Sequence, residues 1–292
     1  MKRHILLMIL AMPAICGAQE SLRPGLEKTY AVWRNALIQK DARTWQMVTA
    51  RHRRVEVRNR IVSEKRAFPA AVFDLPAPPP GLDGLTFLEA KQNGATAKAA
   101  YFGKVDFGVG GEPTNNLLVL SFVKGGRGWL YDKADFVNLT ALPDVRKELA
   151  AGDLSYLRGV PEAQPSGIVP PAPIVANPAT TIAKVYVFCP GREVEVQVNK
   201  ISRHRFANAK EAEVITGGAR LGSNEVQYSI KKLEGGTGME ALTIRVYLMS
   251  EVEGKKPLKV FEYQIKEKEP FKPYDTGTFN LDAATAAKLS GK

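Results

Sequence analysis

Few side chains in this sequence could carry chemistry, and they are scattered. Beyond residue 18 there are two histidines, His52 and His204, and one cysteine, Cys189. That is too few for a histidine-rich or thiolate-rich metal centre, so no metal is expected. His204 lies in the polar run Ser202-Arg203-His204-Arg205. A histidine can activate a serine, but its imidazole needs an acid to orient it. No acid stands at a suitable spacing, and the run reads as a loop between strands. Cys189 ends the strand-like run 183–189. A reactive thiol needs a base or cation nearby to form thiolate. Arg192 is close but no histidine is, so Cys189 is expected to be a small buried residue at a strand end. Gly108-Val109-Gly110-Gly111 and Gly235-Gly236-Thr237-Gly238 read as hairpin turns, because neither precedes the Gly-Lys-Ser/Thr of a phosphate loop. No cofactor is expected, and no motif fixes a reaction.

Charge is the next signal. The 292 residues carry a net charge of +11, with 45% hydrophobic and 24% charged residues, the composition of a folded globular chain. Arg43 to Arg66 holds eight basic residues against only Glu56 and Glu64. Read as a helix, Arg51, Arg54, Arg58 and Lys65 fall near one stripe, since spacings of three, four and seven return to the same face. Such a stripe attracts anions: phosphates, anionic lipid headgroups, acidic glycans or an acidic protein partner. A solvated helix face is its ordinary fate. Nucleic acid is set aside, because neither RNA-binding nor helix-turn-helix signatures appear and the chain opens with an export signal.

That signal is Lys2-Arg3-His4, an apolar run over 5–15 and the small residues before Gln19. It is the pattern of a secretory signal peptide over 1–18. The expected destination is the periplasm, the cell surface or the medium. A lipidated Cys16 is the rival reading, but Ile15 is not the small residue wanted before such a cysteine. The apolar run is short of the ~20 residues needed to span a bilayer, and no later stretch qualifies.

Six prolines between 159 and 178 mark an extended linker. It separates an α+β domain over 19–158 from an all-β domain over 179–292. In the first, Leu26, Tyr30, Trp33 and Leu37 share one helical face, and Pro24 suits the first turn of that helix. Asp41 reads as the N-cap of a short helix carrying Trp45. A third helix is expected over about 50–66. Strands follow at 85–90, 96–105, 116–123 and 128–139, with Lys124-Gly125-Gly126-Arg127 as a hairpin turn. Residues 116–123 are apolar on both faces, as in a central strand. A helix over about 143–157 closes the domain. The second domain offers seven strands: 182–189, 193–199, 211–216, 224–233, 240–250, 258–266 and 277–281. Their number and spacing resemble an immunoglobulin-like sandwich in architecture.

The first domain resembles the nuclear-transport-factor-two-like (cystatin-like) family, which includes ketosteroid isomerases and polyketide cyclases. The resemblance rests on Trp33 to Asp41, on Thr44-Trp45 and on the hairpin Phe122 to Asp132, within residues 22–140. It implies a cone in which a curved antiparallel sheet wraps helices around an apolar pocket. Tyr30, Trp33, Trp45, Tyr101, Phe122 and Trp129 are the aromatics that could line such a pocket, although aromatics at these spacings usually form core. The family's isomerases use an aspartate base and a tyrosine donor. Asp41 and Asp106 are already explained by a cap and a turn, so no catalytic residue is carried over. The expectation is an exported, non-catalytic two-domain binding or assembly protein of the bacterial envelope. The alternatives are a small-molecule carrier or isomerase using the cone, and a subunit of a surface appendage or secretion assembly.

Overall fold

A computed structural model describes residues 15–105 and 113–292, with side chains from Leu22 onward. Most of the leader, Asp106 and the run Gly108-Val109-Gly110-Gly111 lie outside the described residues. The described chain contains five helices and three antiparallel sheets of four strands each. Its contacts divide it into two compact units, Met1–Arg53 with Leu75–Pro171 and Arg54–Asp74 with Ala172–Lys292. Among the described residues no helix is long and apolar enough to cross a membrane.

In the first unit, α1 (Ile15–Ile38) buries Leu26, Tyr30 and Leu37 along the expected face. Pro24 lies inside this helix and not in its first turn. The helix stops without a glycine. Lys40 adopts φ 56, and the Asp41 amide donates back to the Ala36 carbonyl at 2.8 Å, satisfying carbonyls left open at the helix end. Asp41 then caps α2 (Ala42–Val48), accepting from the Thr44 amide at 3.0 Å and the Thr44 hydroxyl at 2.6 Å. Strands β1 (Thr86–Asn93), β2 (Thr96–Lys104), β3 (Asn115–Gly125) and β4 (Gly128–Val137) pair in chain order. β3 is buried from Asn116 to Val123 because both of its faces are covered. Leu118, Leu120 and Phe122 join the core with Leu26, Tyr30, Tyr101 and Tyr131. Leu117 and Val119 join a second core with Leu149 of α4 (Pro143–Ala150), Leu157, Val160 and Ala163. Val160 and Ala163 belong to the proline-rich stretch, whose start is therefore packed.

In the second unit, β5 (Ala183–Phe188), β8 (Lys210–Val214), β10 (Leu242–Leu248) and β11 (Leu258–Ile265) form one sheet in the order β11-β10-β5-β8. β6 (Arg192–Val198), β7 (Ser202–Ala207), β9 (Gly222–Lys232) and β12 (Tyr274–Leu281) form the other, in the order β12-β9-β6-β7. Alternate residues of both sheets meet in one apolar core, among them Val185, Val187, Ile244 and Val246 with Val194, Val196, Phe206 and Val226. Each such side chain contributes about 1.5–3 kcal/mol by leaving water. Leu289 of α5 (Ala283–Leu289) enters the same core.

The sequence reading gave this region seven strands, and the structure has eight. The addition is β7, read as a loop. It follows a type I′ turn in which Asn199 and Lys200 have φ 51 and 63 and the Ile201 amide donates to the Val198 carbonyl at 3.1 Å. The third helix is also corrected: α3 spans Arg51–Ser63. Lys65 turns to φ 56, and the Arg66 amide closes on the Ile61 carbonyl at 3.0 Å. The helix therefore ends before Lys65.

Candidate functional site

The aromatic residues expected around a pocket are placed as core. Tyr30, Trp45, Tyr101 and Phe122 are buried, and Trp33 and Trp129 are half-buried against the same interior. Tyr131, which the sequence reading did not single out, sits among them. Its ring centroid lies 3.8 Å from that of Trp33, 5.6 Å from Tyr30 and 6.0 Å from Phe122. The Tyr30 hydroxyl donates to the Pro80 carbonyl at 2.7 Å, and the Tyr101 hydroxyl donates to Glu27 Oε1 at 3.1 Å. Burial raises the pKa of Tyr30, Tyr101 and Tyr131, so all three stay protonated. The rings themselves occupy this interior.

The four stripe residues have separate surroundings. Arg51 is exposed and Arg54 half-buried, both on α3. Arg58 Nη1 donates to the Ala176 carbonyl at 2.8 Å. Beside it the Asn59 amide grips the same segment, donating to the Ile174 carbonyl at 2.7 Å and accepting from the Ala176 amide at 2.9 Å. Lys65, beyond the helix, reaches Glu251 Oε1 at 2.5 Å. Arg58 and Lys65 thus serve contacts within the second unit.

Among the described residues, two buried polar clusters hold the histidines. In the first unit, His52 Nε2 lies 2.7 Å from Asp132 Oδ1, where a bulge in β4 leaves Asp132 unpaired. Nearby, Lys98 Nζ donates to Ser121 Oγ at 2.7 Å and faces Asp135 at 3.6 Å, beside a cavity of about 150 Å³. Desolvation lowers the Lys98 pKa, with Asp135 opposing. In the second unit, His204 Nδ1 lies 2.6 Å from Glu213 Oε2, and His204 Nε2 lies 2.6 Å from Ser202 Oγ. A carboxylate can only accept, so Nδ1 carries the proton, and in the neutral imidazole the Ser202 hydroxyl donates to Nε2. This corrects the sequence reading: an acid does orient the imidazole, and it comes from β8. The arrangement has the hydrogen-bond order of a Ser-His-acid triad. Ser202, however, is fully buried, and its oxygen also accepts the Thr216 amide at 2.7 Å. A nucleophile must reach its substrate, and this one is enclosed. Cys189 is also fully buried, and burial raises its pKa, as expected of a structural thiol.

Among the described residues, a groove of about 480 Å³ opens on the outer face of the sheet β12-β9-β6-β7, and one of about 590 Å³ runs along β7, β8 and α3. Two rows cross the outer face. Strand register aligns Arg203, Gln197, Gln227 and Thr276 in one, and Arg205, Glu195, Ser229 and Tyr274 in the other. The first row is wired. With the Gln197 amide oriented by its neighbours, its oxygen accepts from Arg203 Nε at 2.8 Å and its nitrogen donates to Gln227 Oε1 at 3.1 Å. Gln227 in turn donates to Glu225 Oε1 at 3.0 Å. In the second row, Arg205 is held by Glu193 at 2.6 Å, which keeps that carboxyl below its ordinary pKa. Tyr274 is 60% exposed, and its hydroxyl lies 3.5 Å from Thr276 Oγ1, two residues along β12.

The sequence reading noted Arg203 and Arg205 only as part of a loop. Their partners Gln197 and Glu193 lie on β6, and the rows they open continue onto β9 and β12, an alignment that local spacing does not reveal. Comparison of the chain with family models, curated proteins and solved structures gives no significant match.

Proposed function

We propose that this is an exported, non-catalytic binding protein of the bacterial envelope or cell surface. In this reading a nuclear-transport-factor-two-like first unit serves as scaffold, and an immunoglobulin-like second unit carries the ligand. The observation that carries it is the open groove on the outer face of β12-β9-β6-β7, whose polar side chains are already held in place by one another. Preorganised groups lose little freedom on binding, which is what a recognition surface needs. The filled aromatic interior and the enclosed Ser202 weigh against the carrier or enzyme alternatives. Assembly through an open strand edge is disfavoured by Lys210, Glu211 and Glu213 on β8, since charges blunt such edges.

The test is an array of glycans and peptides probed with the mature chain and with an Arg203→Ala, Tyr274→Ala double variant. Both positions are exposed, so the variant should keep the wild-type melting temperature. The reading expects array signal that the variant loses. Signal identical in the two proteins would overturn it.

A further inference from the structure

We infer that the outer face of β12-β9-β6-β7 takes a neutral polysaccharide chain, an inference that rests on the proposal that this face is the binding site. The first argument is charge. The chain as a whole carries +11, yet the outward positions of these four strands hold Arg203, Arg205 and Lys231 against Glu193, Glu195 and Glu225. The face is balanced, and Arg205 is tied to Glu193. A phosphate-rich headgroup, a sulfated glycan or a nucleic acid would want an unpaired positive field, which this face does not offer.

The second argument is hydrogen bonding. The outward positions present guanidinium, amide, hydroxyl and carboxylate groups from Arg203, Gln197, Gln227, Ser229, Thr276 and Glu195. Protein partners bury an apolar centre ringed by polar groups. Among the described residues at these outward strand positions, the large apolar surface is the Tyr274 ring. A ligand with a hydroxyl on nearly every carbon can donate to and accept from such a surface without leaving its own polar groups unpaired.

The third argument is that ring. A sugar has a face of C–H groups and an edge of hydroxyls, and an exposed tyrosine on this face meets both needs, with an apolar ring and a polar tip. At a strand spacing of about 4.8 Å, four strands span roughly 14 Å, enough for several sugar rings across the sheet.

Native gels cast with soluble β-glucan, galactomannan or xylan, and parallel gels cast with polygalacturonate, alginate or heparin, test the ligand class. The expected result is slower migration of the wild type in at least one neutral gel, little changed by salt. Tyr274→Ala should bind about tenfold more weakly. Retardation only in acidic gels, relieved by Arg203→Ala, would overturn the neutral ligand and leave the face as the site. Retardation equal in wild type and both variants would overturn both. No retardation in any gel would overturn the glycan, and loss of peptide signal in the double variant on the array would then still uphold the face.

Discussion

Ser202→Ala separates a structural relay from a catalytic one. The Ser202 hydroxyl accepts the Thr216 amide and donates to His204 Nε2. Alanine would leave both groups without a partner in a site where Ser202 itself has no exposure. An unsatisfied buried donor or acceptor costs about 1–3 kcal/mol. Thr216 is only partly buried, so the two losses together come to about 2–4 kcal/mol. For units of this size each kcal/mol moves the melting temperature by roughly 2–4 °C, giving a fall of about 5–15 °C by calorimetry. The companion measurement is labelling with a serine-reactive fluorophosphonate, read by intact mass. Wild-type protein should remain unlabelled because the hydroxyl is enclosed. Stoichiometric labelling of Ser202, with a melting temperature unchanged by Ser202→Ala, would refute the structural account and restore the triad as an active site.

Two further outcomes follow from the same geometry. Glu240 accepts the Thr237 amide at 2.6 Å and the Gly238 amide at 2.9 Å, and these bonds lower its pKa from 4.5 to about 2. A depressed folded-state pKa stabilises above the unfolded value and is lost as pH falls. Glu240→Gln should therefore lower stability at neutral pH, and the gap to wild type in urea titrations should close between pH 4.5 and about 2. Arg58→Ala removes the donor to the carbonyl of Ala176, a buried residue, and should cost about 1–3 kcal/mol, whereas Arg51→Glu, at an exposed position, should change stability by less than about 0.5 kcal/mol.

The helical faces and most strands were legible in the sequence because each had a clean period. Leu26, Tyr30 and Leu37 repeat at helical spacing, and Val194, Val196 and Val198 alternate, and all six are buried. Asp41 was legible as a cap because its oxygen is well placed to accept an amide three residues on. The helix end before Lys65 was not legible, since left-handed caps usually announce themselves with glycine and here a lysine takes the position. β7 escaped for a similar reason. Its turn uses Asn199-Lys200 where Asn-Gly would have been an obvious signal, and Ser-Arg-His-Arg-Phe-Ala has no β-branched residue. Glu213 could not be matched to His204 by spacing, because β7 and β8 belong to different sheets and only tertiary folding brings the two side chains together.

The buried relay and the open groove are two sides of one strand. In β7, Ser202, His204 and Phe206 turn inward, while Arg203 and Arg205 turn outward. Strand side chains alternate with a period of two, so a slip of one residue would exchange the two sets and drive two guanidinium groups into an apolar core. The type I′ turn at Asn199-Lys200 sets the register from one end. The His204–Glu213 contact sets it again, by tying β7 in one sheet to β8 in the other. An edge strand has a neighbour on one side only and needs such a tie more than a central one. The polar cluster that resembles a triad thus fits best as the fastening that holds Arg203 and Arg205 at the rim of the groove.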